Sequence, residues 1–197
     1  SPNFANELES QDFKQGVLEA IKFGLHRYNR DYNQPYKNTG LRLYAKYTYE
    51  DVCRLLEWKQ NEVPLNIGGY KFDKHTKTYP VFITYHKSDQ IQDTIKYEDR
   101  FINQNRIKAI SKNKRSLDSE DVKTALHAQE LGVRMELFVR KNKDDNESKE
   151  FYYLGPIYAT GQTESILMAD GKSTAVELEY QLEVPVRDDI YDYIVNG

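Results

Sequence analysis

Apolar residues return every three or four positions through Phe13, Val17, Ile21, Leu25, Tyr28 and Tyr32, the stripe of an amphipathic helix that begins near Ser10. The pattern stops at Asn33 to Pro35. Gln34 to Gly40, with Pro35, Asn38 and Gly40, predicts a loop between an N-terminal helical arm over 1–42 and a main domain over 43–197. Thr48 ahead of Glu50 and Asp51 supplies an N-cap hydroxyl and first-turn acids for a second helix with Val52, Leu55, Leu56 and Trp58 on its apolar side. Tyr79 to Tyr85 is rich in Tyr, Val, Phe, Ile and Thr and predicts a buried strand. Tyr97 to Phe101 predicts a helical turn, Arg106 to Ile110 a strand of alternating basic and apolar positions, and Ser119-Glu120-Asp121 a third helix start. Strands follow at Val133 to Arg140, Phe151 to Tyr158, Ser165 to Ala169 and Thr174 to Val184, with a polar connection over Asn142 to Lys149 and a tight turn at Asp170-Gly171. The expected fold class is α+β, a curved, mostly antiparallel sheet or small barrel with flanking helices.

Composition narrows the functional classes. At 197 residues, with 39% hydrophobic and 30% charged positions, the chain has the make-up of a soluble globular domain with one sizeable core. It holds no apolar run of membrane-spanning length and no signal-like opening, so the expectation is a cytoplasmic protein without a membrane partner. The opening Ser1-Pro2-Asn3-Phe4, without an initiator Met, suggests an excised piece of a longer protein or a processed tag. The single cysteine, Cys53, lies in an apolar helical pattern and is expected to be a buried thiol.

Little in the sequence points to catalysis. His26, His75, His86 and His127 are scattered and pair with no ligand-spaced Cys or His, which argues against a zinc site. Gly68-Gly69 lacks the spacing of the nucleotide-binding glycine motifs, so no cofactor is expected. The acid pairs Glu98-Asp99, Glu120-Asp121 and Asp188-Asp189 fit helix starts and solvated faces better than a magnesium site, and Lys141 near Glu136 or Glu150 only loosely imitates a nuclease.

Charge placement points to binding instead. The net charge is −3, yet Arg106, Lys108, Lys112, Lys114 and Arg115 crowd one stretch free of acids. Together with Ser111 and Asn113 they form the mixture of cations and neutral donors that contacts phosphate oxygens. A solvated basic loop is the competing reading. Close by in sequence, Tyr85 ends a strand, with Lys87 and Asp89 just beyond and Tyr97 after a polar loop. Two rings and a carboxylate of this kind suit a flipped cytosine, stacked on both faces with its exocyclic amino group donating to Asp89. The same tyrosines serve equally well to close the end of a barrel.

Several blocks carry a resemblance: Thr48 to Val52, Leu56-Glu57-Trp58, Asn66 to Lys71, Val81 to Lys87, Tyr97 to Phe101, Ser111 to Ser119, Leu137 to Arg140, Phe151 to Gly155 and Pro185 to Tyr193. In this order, over about Leu43 to Tyr193, the chain resembles the C-terminal domain of unknown function of bacterial proteins that also carry a phospholipase D-type nuclease and a superfamily 2 helicase. That architecture includes the SauUSI-type type IV restriction enzymes, which cut DNA containing 5-methylcytosine or 5-hydroxymethylcytosine. Their C-terminal region is similar to SRA domains, curved barrels that flip a modified cytosine into an aromatic pocket. The resemblance implies a sensor of modified cytosine in double-stranded DNA, without catalysis of its own, working beside upstream helicase and nuclease domains. A module that couples helicase to nuclease without reading bases is the alternative. The sequence departs from the family pattern at Ala109, where an aromatic, often Trp, is expected before the Ser111 block.

Overall fold

A computed structural model describes residues 2–31, 36–37, 39–59, 67–86, 99–142, 149–168 and 171–196. The chain forms two compact units, Ser1–Arg42 and Leu43–Gly197. The first contains helices α1 (Pro2–Glu7) and α2 (Gln11–Asp31). Along α2 the stripe expected from the sequence is present, but Ile21, Phe23, Leu25 and Tyr28 are all more than half exposed.

The second unit is α+β. Its elements run β1 (Lys46–Tyr47), α3 (Tyr49–Leu55), β2 (Thr78–His86), β3 (Arg100–Asn103), β4 (Arg106–Ile110), α4 (Glu120–Leu126), β5 (Arg134–Asn142), β6 (Phe151–Leu167), β7 (Thr174–Leu182) and α5 (Asp188–Val195). One seven-stranded sheet takes the order β2-β5-β6-β7-β4-β3, with β1 paired to β6. Among the described residues only β2 and β5 pair in parallel. The sheet curls into a half-barrel because β6 bends along its 17 residues and serves β5 with its first half and β7 with its second. The sequence suggested two strands here. Gly155 (φ 97°) and Gly161 (φ 86°) explain the difference: each sits at a register shift in conformations that L side chains rarely adopt, so the strand kinks without ending. Arg100 and Phe101, the end of the helical turn expected over Tyr97 to Phe101, instead begin a strand that pairs antiparallel with β4.

Period-two alternation sorts β2 and β5 into two buried faces. Phe82, Phe138, Phe151 and Tyr153 point to the side covered by α3, where the Tyr49 ring lies 4.3 Å from Phe82 and 5.1 Å from Phe151. Thr48 caps that helix in a capping box with Asp51, and Val52 and Cys53 are buried. Tyr79, Val81, Ile83, Met135, Leu137 and Val139 point to the inside of the curl, where Val122 and Ala125 of α4 and Ile190 and Ile194 of α5 complete the main core. The residues that face this interior near the open edge of β2 build the candidate site. No helix is long and apolar enough to cross a membrane among the described residues.

Candidate nucleic-acid interface

The segment ahead of β2 folds back along it. Gly68 and Gly69 adopt φ of 54° and 90°, and the Gly69 carbonyl accepts from Phe82 N–H at 2.6 Å. Asp73 Oδ2 accepts from both the backbone and the hydroxyl of Thr76, closing the turn that returns to Thr78. This places the Tyr70 ring 5.5 Å from that of Tyr79.

Beyond β4 the chain stays pinned to β7. Ser111 N–H donates to the Val176 carbonyl, Val176 N–H donates to Ser111 Oγ, and Arg115 N–H donates to the Thr174 carbonyl. Ser111 to Arg115 is therefore a held edge. Asp121, at the start of α4, ties it to Tyr70: its Oδ2 accepts from Arg115 Nε at 2.7 Å and from the Tyr70 hydroxyl at 3.0 Å, and Tyr70 Oη accepts from Lys112 N–H at 3.0 Å. Burial pushes the Asp121 carboxyl up, but these hydrogen bonds and the Arg115 charge outweigh it, and the pKa lies below its ordinary value. Burial raises the pKa of Tyr70, Tyr79 and Tyr180, so all three keep their hydroxyl protons. Lys112 Nζ lies 4.8 Å from the Tyr70 ring centre, and burial, then Arg115 and Lys71, lower its pKa despite Asp121.

Between β2, β4, β7 and α4 these residues enclose a cavity of about 290 Å³. Tyr70, Tyr79 and Tyr180 supply rings, Asp99 and Asp121 carboxylates, and Ala109 a small wall position opposite β2. That volume sits at the small end of ligand pockets, roughly 300–1,000 Å³, and suits one heterocycle. Next to it, sharing Tyr70, Lys112 and Asp121, opens a cleft of about 520 Å³ lined also by Lys71, Lys74 and Arg115. The arrangement is a partly apolar slot beside a cleft in which Lys71, Lys74, Lys112 and Arg115 stand with the carboxylates of Glu120 and Asp121.

The residues singled out in the sequence separate. Ser111, Lys112 and Arg115 stand at the mouth of the cavity or the cleft beside it, and Asn113 and Lys114 are exposed on the edge between them in sequence. Arg106 and Lys108 point to the opposite side of β4, where Arg106 meets Glu179 at 3.2 Å and Lys108 meets Glu177 at 2.6 Å. Tyr85 is half-buried at the end of β2 with its ring 5.7 Å from Phe101, and it does not line the cavity. Lys87, Asp89 and Tyr97 lie outside the described residues. The described members of the acid pairs have protein partners, Asp99 with Ile110 N–H, Glu120 with Lys74, Asp121 with Arg115, Asp188 with Gln104 and Asp189 with Arg187, and Glu98 lies outside the described residues. Among the described residues no group of three or more His, Cys, Asp and Glu is placed to hold a metal ion. Sequence reasoning missed Tyr70, Asp121 and Tyr180. A twin glycine followed by Tyr, and an acid six residues after Arg115, were the available signals.

The fold matches solved structures at low sequence identity. The SRA domain of SUVH5, crystallised with hemi-methylated CG DNA, aligns with a TM-score of 0.50 at 8% identity over 79% of this chain and 98% of that one. SUVH6 of Arabidopsis thaliana, in complex with SAM, aligns at 0.48 and 11% identity over 83% of this chain and 31% of that one. KRYPTONITE, in complex with mCHH DNA, an H3(1-15) peptide and SAH, aligns at 0.48 and 12% identity over 91% of this chain and 39% of that one. The chain thus spans about a third of the two larger proteins and nearly all of the SUVH5 domain, whose curled half-barrel it shares. No curated protein matches the sequence. With its residues 41–194 matched by the family's sequence profile, the chain belongs to the family described as Domain of unknown function (DUF3427).

Proposed function

We propose that this chain binds double-stranded DNA and takes a modified cytosine, 5-methylcytosine or 5-hydroxymethylcytosine, out of the helix into the cavity between β2, β4, β7 and α4. The observation that carries the reading is one juxtaposition: a slot of about 290 Å³ walled by Tyr70, Tyr79 and Tyr180 opens beside a cleft lined by Lys71, Lys74, Lys112 and Arg115. Stacking needs the rings, and the duplex backbone needs the cations. The shared fold supports it, since the SUVH5 domain of that fold is seen with hemi-methylated CG DNA. Asp121 and Asp99 give the slot carboxylates able to accept from the exocyclic amino group of cytosine, which thymine lacks. In this reading the chain contributes no catalysis and no cofactor. It is the sensor of a type IV, modification-dependent restriction enzyme whose ATP hydrolysis and cleavage reside in upstream helicase and nuclease domains.

The exposed Ile21, Phe23, Leu25 and Tyr28 on α2 favour a second role, contact with those upstream domains, which is compatible with base reading. Fluorescence anisotropy on duplexes identical except at one cytosine separates the two. A sensor binds the modified duplex at least tenfold tighter than the unmodified one. A pure coupling module binds both alike.

A further inference from the structure

The lining of the cavity is uneven in chemistry. Towards solvent stand Gly68, Gly69, Tyr70, Lys112 and Asp121, none of them buried, with backbone and carboxylate groups able to exchange hydrogen bonds. Deeper in, the walls are Val81, Ile83, Ala109, Val122, Ala125 and Leu178, all buried. Tyr180, on the same face of β7 as Leu178 and 5% exposed, stands where the two parts meet, near Tyr70, Asp99 and Asp121.

Tyr70 and Tyr79 satisfy their hydroxyls on Asp121, and Tyr153 satisfies its own on Glu136. The Tyr180 hydroxyl has no hydrogen-bond partner among the described residues. Burial, and then the nearby Tyr70, Asp99 and Asp121, hold it protonated, so it remains a donor at neutral pH. A hydroxyl that opens onto the cavity without a protein partner is available to donate to a ligand that supplies an acceptor.

A pyrimidine has one edge that fits each part of the lining. Its hydrogen-bonding edge carries the exocyclic amino, ring nitrogen and carbonyl groups, which suit the polar mouth. Its C5–C6 edge carries none of these, which suits the apolar walls. A methyl group on C5 would meet the apolar walls and leave Tyr180 unpaired. A hydroxymethyl group would bring an oxygen to it.

We infer that Tyr180 is a specificity-determining residue that makes the cavity prefer a cytosine whose 5-substituent carries a hydrogen-bonding oxygen, 5-hydroxymethylcytosine, over 5-methylcytosine. This rests on the proposal that a base enters this cavity. One buried hydrogen bond made or missed corresponds to a preference on the order of tenfold. The test compares three duplexes differing only in one central base, cytosine, 5-methylcytosine or 5-hydroxymethylcytosine, against the wild-type chain and Tyr180→Phe. The wild type binds the hydroxymethylated duplex about tenfold tighter than the methylated one. Tyr180→Phe brings those two affinities together, keeps the preference of both over cytosine, and melts no lower than wild type because the lost hydroxyl made no protein hydrogen bond. Equal wild-type affinity for the two modified duplexes overturns the assignment of Tyr180 and leaves the sensor reading standing, as does a Tyr180→Phe chain that retains the preference. Equal affinity for all three duplexes overturns the sensor reading itself, and this inference with it.

Discussion

Two halves of one basic stretch end in opposite situations. Arg106 and Lys108, inside β4, are spent on carboxylates: Glu177, with its side chain only 4% exposed, accepts from Arg100 on both oxygens and from Lys108 on Oε1, and Glu179 takes Arg106. Lys112, Lys114 and Arg115, past the strand end, lie on an edge pinned to β7 beside the cavity, and Lys114 makes no ion pair among the described residues. Arg115 has one acid, Asp121, which it shares with Tyr70. Five cations in ten residues read alike in sequence. Whether a cation is free to meet phosphate is decided by the facing strand, and β7 offers its glutamates only where β4 is paired with it.

That contrast sets the first and largest expected effect. Replacing Lys112, Lys114 and Arg115 by Ala should weaken binding of modified and unmodified duplexes alike, on the order of 100-fold near 0.1 M salt, and reduce the slope of log affinity against log salt by about 0.9 per lost phosphate contact. The double variant Arg106→Ala/Lys108→Ala should leave the slope unchanged in the same titration. Equal losses in the two variants would erase the distinction.

Glu177→Gln comes next and acts on stability. Removing a buried acceptor leaves Arg100 and Lys108 facing a neutral amide, and because both cations reach solvent the cost should be about 1–3 kcal/mol rather than the larger figure for a fully buried pair. Urea denaturation reads it, with DNA affinity retained. The pH dependence follows from the same group. Burial pushes its pKa up, but the hydrogen bonds from Arg100 and Lys108 more than offset this and hold it below its ordinary value. Over the acid range the folded chain therefore carries fewer protons there than the unfolded one. Its contribution is complete at neutral pH and fades as pH falls below about 4.3, and Glu177→Gln should flatten the stability curve in that window. Smallest of all, Arg106→Ala alone, with its side chain half exposed, should change stability by under about 1 kcal/mol in the same denaturation series.

Much of the fold was legible in the sequence because its signals are local. The capping box at Thr48, the β-rich run of β2 and the inward Ile107 and Ala109 of β4 each follow from a few adjacent residues. The bent β6 was read as two strands because its glycines and polar middle mimic a turn. The site was less legible. Lys112 and Arg115 stand out by charge and Ser111 as a neutral donor beside them, but Tyr70, Asp121 and Tyr180 meet only when β2, α4 and β7 close around one space, and neither pattern nor spacing in a single segment records that convergence. Asp121 had every mark of a helix-start acid, which it also is. Arg106 and Lys108, grouped with Lys112 and Arg115 by charge, stand on the face away from Ile107 and the core, because strand alternation separates neighbours that composition alone does not.

The most direct test asks which surface touches the base. A duplex carrying one 5-iodocytosine, a photoreactive analogue close in size to the methylated base, is irradiated in complex with the chain, and the crosslinked peptides are identified by mass spectrometry. Attachment is expected at the cavity, on peptides carrying Tyr70, Tyr79 or Tyr180, with crosslinking competed away by methylated but not unmodified DNA. Attachment confined to the Arg100–Lys108 face, or competition by both DNAs equally, would contradict it.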